Sequence, residues 1–349
     1  MTSAPAPESS HPHSAGILVL ATIAGGCALY LARDFFIPLA LSILFTGLLR
    51  PVVRWLEGAR LPPPVGATIV LVAFVGALIG TGLALADPVR GWIGQAPSTL
   101  AAATRRLETL RRPVDQISAV AKKMEGGAPA SPPAAPAASG VAAKVFGTTT
   151  GLVATAVEVV LLTFLLLASG DTFLRKLLKV LRLRGEKRAA LEIAAETEAA
   201  VSRYMVATAL INAGQALLVG VAMWLLHLSH PLLWATLTFV LEFVPYLGGA
   251  IMIVLLGVAG LATFDSLGHA VLPPAVYLTI TTLQNNLVSP VAYGRGLRLN
   301  PVAVLVGVLL WWLLWGVPGA FLAVPILATF KILGEHVPSL APVSEFLGD

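Results

Sequence analysis

The stretch "LEFVPYLGG", Leu241 to Gly249, places a carboxylate, a proline and two glycines inside a long apolar segment. That segment covers residues 231–264, and as one α-helix it would measure about 50 Å against roughly 30 Å of bilayer hydrocarbon. Pro245 removes a backbone donor near its middle, and the glycines after it permit a tight turn. The stretch therefore predicts two half-helices folded as a re-entrant hairpin. A proline-kinked helix with an extramembrane end remains the alternative.

The last apolar segment, residues 301–333, repeats this pattern. It begins at a proline and is interrupted at "WGVPGA", residues 315–320. Each long segment follows an apolar stretch of ordinary span length, 205–227 before the first and 270–290 before the second. We therefore predict two units of one span plus one broken segment, inverted relative to one another if both are re-entrant. The residues predicted at the breaks are Pro245, Gly248, Gly249, Pro318 and Gly319.

Composition indicates a membrane protein. The chain is 57% hydrophobic and 12% charged, whereas a soluble domain carries about 25% charged residues. The apolar residues form blocks long enough to cross a bilayer, without the alternation of a barrel strand. The fold class predicted is an all-α integral membrane protein with about six full spans and two broken segments. The basic residues behind the net charge of +5 lie between spans, which favours contacts with lipid headgroups and excludes a nucleic-acid face.

The positive-inside rule predicts an orientation. The short loops 50–61 and 171–204 are both basic, which places them and the N-terminus in the cytoplasm. Two re-entrant segments would place the C-terminus there as well. The predicted organisation is a disordered tail over 1–14, three spans within 15–86, extracytoplasmic amphipathic helices with an Ala/Pro-rich linker over 87–148, a fourth span over 149–169, a charged cytoplasmic helical connection over 170–204, the two span-plus-broken-segment units over 205–335 and a C-terminal tail over 336–349.

Glu242 is the strongest candidate for a functional residue. A carboxylate within a membrane segment is costly and suggests function by default, and the carbonyls freed by a broken helix would complete a Na⁺ or H⁺ site. Alternatively, it holds the break together by hydrogen bonding. Polar side chains in the spans nearby, such as Asn212 and Gln215, more often bridge helices than bind substrate. The other candidates for solute or ion binding are Gln284, Asn285 and Asn286, which could instead satisfy backbone groups, and Tyr246, which could gate or stack on a solute.

Four stretches resemble the autoinducer-2 exporter family of bacterial transporters: "PLALSILFTGLLRPVVRWLE" (38–57), "FVPYLGG" (243–249), "LQNNLVSPVAYGRGLRLNP" (283–301) and "WGVPGAFLAVPILATFKIL" (315–333). The resemblance covers roughly residues 17–335. The order and spacing of several residues carry it together. These residues are Pro245, Tyr246, Gly248, Gln284, Pro290, Gly294, Pro301, Gly319 and Pro325.

This resemblance implies a multi-pass, homo-oligomeric transporter of the bacterial inner membrane. Members of the family are associated with export of a small signalling molecule or with sodium–proton exchange, so the family does not fix the substrate. We predict gradient-driven alternating access for a small polar solute or for Na⁺ or H⁺, with membrane lipids around the protein. The alternative is an oligomeric ion channel or a membrane scaffold without carrier activity.

Enzymatic and metal chemistry have no basis in the sequence. There is no catalytic constellation and no phosphate-binding loop with its lysine, so neither an enzyme nor an ATP-driven pump is expected. Cys27 is the only cysteine, which excludes an internal disulfide and a thiolate cluster. His227 and His230 lack a carboxylate at ligand spacing. No cofactor and no metal are therefore predicted.

Overall fold

The computed structural model describes residues 12–123, 149–170, 187–293, 299–337 and 340–348. This part of the chain is helical nearly throughout, and it contains no strand beyond one isolated bridge between Leu299 and Gly348. The helices are α1 (Pro12–Leu31), α2 (Arg33–Gly58), α3 (Pro63–Lys123), α4 (Thr149–Ser169), α5 (Lys187–Leu225), α6 (Pro231–Leu241), α7 (Leu247–Thr263), α8 (Leu267–Ala270), α9 (Leu272–Leu283), a π-helical turn (Gln284–Val288), α10 (Ser289–Tyr293), α11 (Pro301–His336) and α12 (Ala341–Leu347).

The predicted all-α membrane class is confirmed. Four helical segments are long and apolar enough to cross a membrane, namely Arg33–Gly58, Pro63–Trp92, Ile193–Leu225 and Pro301–His336. Shorter apolar helices cover Val19–Leu31, Val153–Ser169, Pro231–Leu241 and Leu247–Thr263. Length and composition alone do not set the number of spans, so the number of six full spans stays a prediction.

Two helices run past the boundaries predicted from the sequence. The third span and the first part of the 87–148 region form the single helix α3, described as far as Lys123. The second half of the charged connection and the fifth span likewise form α5. Extending a helix costs less than nucleating a new one, so sequences with good helix formers continue it across a change of polarity. The N-terminal tail over 1–11, the Ala/Pro-rich linker within 124–148 and the first half of the connection lie outside the described residues.

The first long segment is broken where the sequence predicts. Helix α6 ends at Leu241 and α7 begins at Leu247, with Pro245 between them. The residue that takes the positive φ is Tyr246, at 63°, whereas the sequence suggested a glycine. Gly248 instead permits a close approach, since a Cβ there would lie 2.5 Å from the carbonyl carbon of Leu241.

The two half-helices on either side of this break pack together. Trp234 of α6 and Leu256 of α7 belong to one buried cluster, and the two helices are in contact. In a continuous helix these residues would stand about 33 Å apart. The chain therefore reverses at Pro245, as the hairpin form of the prediction requires.

The second long segment also folds back on itself. Gly316 has φ 65° and ψ −141° inside α11, which divides it into a half over 301–315 and a half over 317–336. A Cβ on Gly307 would meet Leu327 Cδ1 at 2.5 Å, although a straight helix would hold those residues about 30 Å apart. The reversal is at Gly316, just before the predicted Pro318 and Gly319. Both segments are thus hairpins of the chain.

Aromatic contact joins the two hairpins. The rings of Phe243 and Phe321 lie 5.1 Å apart, and both side chains belong to the largest apolar cluster or pack against it. Leu347 of α12 is buried in the same cluster, and the backbone N–H of Asn300 donates to its carbonyl at 3.0 Å. The predicted C-terminal tail therefore includes a packed helix. The apolar cluster around the second hairpin also includes Phe243, next to Glu242 at the break of the first hairpin.

Candidate functional site

Glu242 lies at the C-terminal end of α6 and is held from two other helices. Its Oε1 accepts hydrogen bonds from the Nε2 of Gln215 in α5, at 3.0 Å, and from the hydroxyl of Tyr277 in α9. The same Gln215 Nε2 also donates to Thr281 Oγ1 at 2.8 Å. We call these four residues, Gln215, Glu242, Tyr277 and Thr281, the Glu242 cluster. It joins the hairpin break to the spans that precede each hairpin.

One acceptor in this cluster has no hydrogen-bond partner within the described part of the chain. Gln215 is only 2% exposed, and its Oε1 is buried without a hydrogen bond from any described residue. Leaving a buried acceptor unpaired costs about 1–3 kcal/mol. Exchanging the amide's oxygen and nitrogen would turn the oxygen towards the Glu242 carboxylate, so the orientation of Gln215 follows from its partners. As it stands, Gln215 donates to the carboxylate through Nε2 and leaves Oε1 able to accept from a cation or a donating ligand.

The hairpin break adds backbone oxygens near the carboxylate. Because the helix stops here, the carbonyls of Glu242 and Phe243 accept no hydrogen bond within the described part of the chain. Gly249 lies beside the cluster, where a Cβ would stand 3.8 Å from the Tyr277 hydroxyl. Carboxylate, amide, hydroxyl and carbonyl oxygens are ligands that hard cations prefer. The hydrogen bonds that Gln215 and Tyr277 donate to Glu242 also hold the hairpin break in place. The geometry is therefore compatible with both roles predicted for Glu242, which are ion binding and holding the break together.

The other predicted site residues lie outside the Glu242 cluster. Tyr246 is 53% exposed at the hairpin tip. Gln284 donates to Ser289 Oγ at 2.7 Å and Asn286 donates to the carbonyl of Thr282 at 2.8 Å, both within their own helical stretch. Asn285 is exposed. Among the described residues none of these four hydrogen-bonds to Glu242, and the three amides instead accompany a π-helical turn that the sequence did not predict.

Helix α5 carries polar residues that sequence analysis gave less weight. Asn212 donates to the carbonyl of Phe239 at 3.4 Å, and Thr208 shares a hydrogen bond of 3.0 Å with the hydroxyl of Tyr293. Tyr204, Thr208, Asn212 and Gln215 are spaced by four, four and three residues, so they occupy one face of the helix. We call these four residues the polar stripe. The polar stripe can be recognised in the sequence because its polar residues recur at helical spacing within an apolar span.

The described ranges hold no group of three or more His, Cys, Asp or Glu side chains that could bind a metal ion. The cluster therefore differs from a transition-metal centre in its ligands, which are mostly neutral oxygens around one carboxylate.

A helical membrane protein with two hairpins and a carboxylate at the first break has the general form of a transporter. Comparison with known sequences identifies the class more closely, because the profile of the AI-2E family of transporters matches residues 18–339. The chain belongs to the AI-2E transporter family. This confirms the resemblance found in the sequence, and it indicates a membrane transporter rather than an enzyme.

Individual relatives are similar over different lengths. "Putative transport protein YhhT" of Escherichia coli K12 is 25% identical over 98% of this chain and 97% of its own. "AI-2 transport protein TqsA" of the same organism is 24% identical over 93% of this chain and 92% of its own. A "Putative transport protein" of Borreliella burgdorferi is 28% identical over 149 residues, 42% of this chain and 41% of that protein, so the match spans less than half of that relative.

Proposed function

We propose that the protein is a gradient-driven carrier of the bacterial inner membrane that works by alternating access. Residues 205–335 form its transport core, and both termini lie in the cytoplasm. It moves a small polar solute, or exchanges Na⁺ or H⁺, and it acts as a homo-oligomer. Autoinducer-2 is the first solute to test, because the relative TqsA is named as its transport protein.

The arrangement of Glu242 is the observation that carries this proposal. A carboxylate at a helix break is hydrogen-bonded from α5 and α9, and its partner Gln215 carries a buried Oε1 that has no hydrogen bond from any described residue. A cation that bound both the carboxylate and this oxygen would satisfy the oxygen and balance the carboxylate's charge. Protonation of Glu242 would neutralise the same charge. The cluster is therefore suited to binding Na⁺ and H⁺ in competition, which is the basis of exchange.

The similarity of the two hairpins supports an inverted-repeat core. Each tip has one residue with positive φ, Tyr246 in the first and Gly316 in the second. Each has a glycine soon after that residue which lies against a backbone carbonyl of the preceding half-helix, Gly248 against Leu241 and Gly319 against Trp311. Repeats of this kind place coupling sites at broken helices near the midplane of the bilayer.

The test is transport by the purified protein in proteoliposomes. Vesicles containing a pH-sensitive dye would receive a Na⁺ gradient, and proton flux would be recorded for the wild type and for Glu242→Gln. Uptake of labelled autoinducer-2 with counterflow would be measured in the same vesicles. Glu158→Gln is the matched control, because it removes an exposed carboxylate from another apolar helix, α4.

We expect saturable exchange in the wild type and in Glu158→Gln. For Glu242→Gln we expect a decrease of at least about tenfold, since hydrogen bonds to a charged group contribute about 1.5–3 kcal/mol. Full Na⁺-driven proton flux in Glu242→Gln would refute the coupling role of this residue. Flux that does not saturate and shows no counterflow would instead establish the channel alternative, and vesicles with neither ion nor solute flux would favour a scaffold.

A further inference from the structure

A cavity of about 640 Å³ opens beside the polar stripe, between the C-terminal half of α2, the middle of α5 and α10. Its wall includes Pro51, Ala207, Ile211 and the two tyrosines Tyr204 and Tyr293. None of these residues belongs to the Glu242 cluster. The cavity is thus a second feature of the protein, separate from the site already described.

One lining residue of this cavity lies one helical turn from the Glu242 cluster along α5. Ile211 is buried, lines the cavity and precedes Gln215 by four residues on the same face of α5. One helical turn, about 6 Å along the helix axis, therefore separates the cavity lining from the Glu242 cluster. Asn212 and Thr208 of the polar stripe are buried along the same part of α5.

Tyr293 forms part of the cavity wall and is held against α5. Its hydroxyl shares a hydrogen bond of 3.0 Å with Thr208 Oγ1, and its ring stacks on Tyr204 with centroids 5.5 Å apart and planes 23° apart. Both partners belong to the polar stripe that leads to Gln215. The phenol of Tyr293 therefore covers the polar stripe at Tyr204 and Thr208, on the side of the cavity.

Resting on the proposed transport function, we propose that this cavity is the solute vestibule and that Tyr293 is the gate between it and Glu242. The proposal assigns a solute class as well. Arg203 lines the cavity and disfavours a bare cation there, while two phenol rings and their hydroxyls suit a small hydroxylated or anionic solute. The solute then enters past Tyr293, while the cation is held at Glu242.

A π-helical turn directly precedes the helix that carries Tyr293. Helix α10 directly follows the π-helical turn Gln284–Val288, and the Oε1 of Gln284 in that turn is buried without a partner among the described residues. π-Turns hold more residues than an α-turn and occur often at functional sites. Returning one residue to α-helical hydrogen bonding would rotate α10 by about 100°. This rotation would carry Tyr293 away from Thr208 and open the gate.

Cysteine accessibility tests the gate without measuring transport. In a Cys27→Ala background reconstituted in lipid nanodiscs, which expose both faces, Ala207→Cys reports on the vestibule and Asn212→Cys on the stripe behind the gate. The probe is the anionic reagent 2-sulfonatoethyl methanethiosulfonate, and each reporter is combined with Tyr293, Tyr293→Phe and Tyr293→Ala. Tyr293→Phe keeps the ring and removes only the hydroxyl that contacts Thr208.

We expect Ala207→Cys to react at the same high rate in all three backgrounds, which also shows that the vestibule is intact. Asn212→Cys should react slowly with Tyr293 and about fivefold faster with Tyr293→Phe, the change expected from losing one hydrogen bond. The rate should be higher again with Tyr293→Ala, which also loses the stack on Tyr204.

Two results would overturn the proposal. One is a rate for Asn212→Cys that does not change in Tyr293→Ala. The other is an Ala207→Cys variant that reacts with lipid-soluble N-ethylmaleimide but not with the charged probe, because the cavity is then filled by lipid. Neither measurement depends on flux. A chain that transports nothing is detected in the proteoliposome assay, so failure of the gate and failure of the transport function are distinguishable.

Discussion

Replacing the glycine at either hairpin tip by alanine should destabilise the protein more than the same change elsewhere. At Gly248 the new Cβ would lie 2.5 Å from the carbonyl carbon of Leu241, and at Gly319 it would lie 2.7 Å from that of Trp311. Ordinary contact begins at 3.4 Å and the carbonyl oxygens of Leu241 and Trp311 lie closer still, so the tips would have to open by more than 0.9 Å and 0.7 Å (3.4 − 2.5 and 3.4 − 2.7). Both opposing atoms are backbone and cannot rotate away.

The expected cost follows from this overlap. Overpacking of a close-packed interior costs about 1–3 kcal/mol, and the upper value applies where the backbone has to shift. At about 2 °C per kcal/mol for a chain of this size, Gly248→Ala and Gly319→Ala should each lower Tm by about 6 °C. Gly307→Ala should fall between wild type and these variants, because its Cβ meets the flexible side chain of Leu327. Gly257→Ala is the matched control, since nothing lies within 4 Å of its Cβ.

Thermal unfolding of the four purified variants in detergent, followed by tryptophan fluorescence, gives the measurement. Gly257→Ala should be neutral or slightly stabilising, because alanine favours a helix by up to about 1 kcal/mol over glycine. If Gly319→Ala were as stable as Gly257→Ala, the two halves of α11 would not pack at this distance. The hairpin interpretation of the second segment would then be wrong, whatever the result at Gly248.

Two further predictions concern contacts that join the hairpin core to the N-terminal helices. Trp315→Phe removes the hydrogen bond that Trp315 Nε1 donates to the carbonyl of Leu29 at 3.0 Å, and it should lower stability by about 1 kcal/mol. The neighbouring Trp312→Phe, at a side chain 45% exposed, is the control, and an equal loss of Tm in both variants would show that this bond contributes nothing. Glu198→Gln breaks the partly buried ion pair with Arg50 and should cost about 1 kcal/mol, because exposure and salt screen such pairs. Raising the salt should lower Tm in the wild type and in the exposed control Glu335→Gln but not in Glu198→Gln. An equal salt response in all three proteins would show that the ion pair between Glu198 and Arg50 does not contribute to stability.

The hairpins could be predicted because their signal is local. A segment too long for the bilayer, with Pro245 near its middle, can be recognised without any knowledge of its neighbours. The exact residues of the turn could not be predicted in the same way. Tyr246, a residue that rarely takes positive φ, does so in the first hairpin, and Gly316 reverses the second one before Pro318. Which residue accepts an unusual backbone conformation depends on the packing around it.

The Glu242 cluster was predictable only in part. The cost of a carboxylate in an apolar segment singles out Glu242, but its partner Tyr277 is 35 residues away in sequence and has no local signature. Gln215 could be recognised in part from the sequence, because it completes the polar face of α5. The amides at 284–286 lie outside this cluster, and Gln284 and Asn286 hydrogen-bond within their own helical stretch around a π-turn. Their role in binding stays a prediction.

The first hairpin is held to its surroundings by two different kinds of contact. The first tip is tied to α5 and α9 by hydrogen bonds to a carboxylate, each contributing about 1.5–3 kcal/mol. Between the hairpins, the contact at Phe243 and Phe321 is aromatic, and such pairs contribute about 0.5–1.5 kcal/mol beyond their area. Apolar contacts gain little from burial in lipid, because the surrounding hydrocarbon is equally apolar. The Glu242 cluster is therefore the stronger junction, and the boundary between the hairpins is the weaker one.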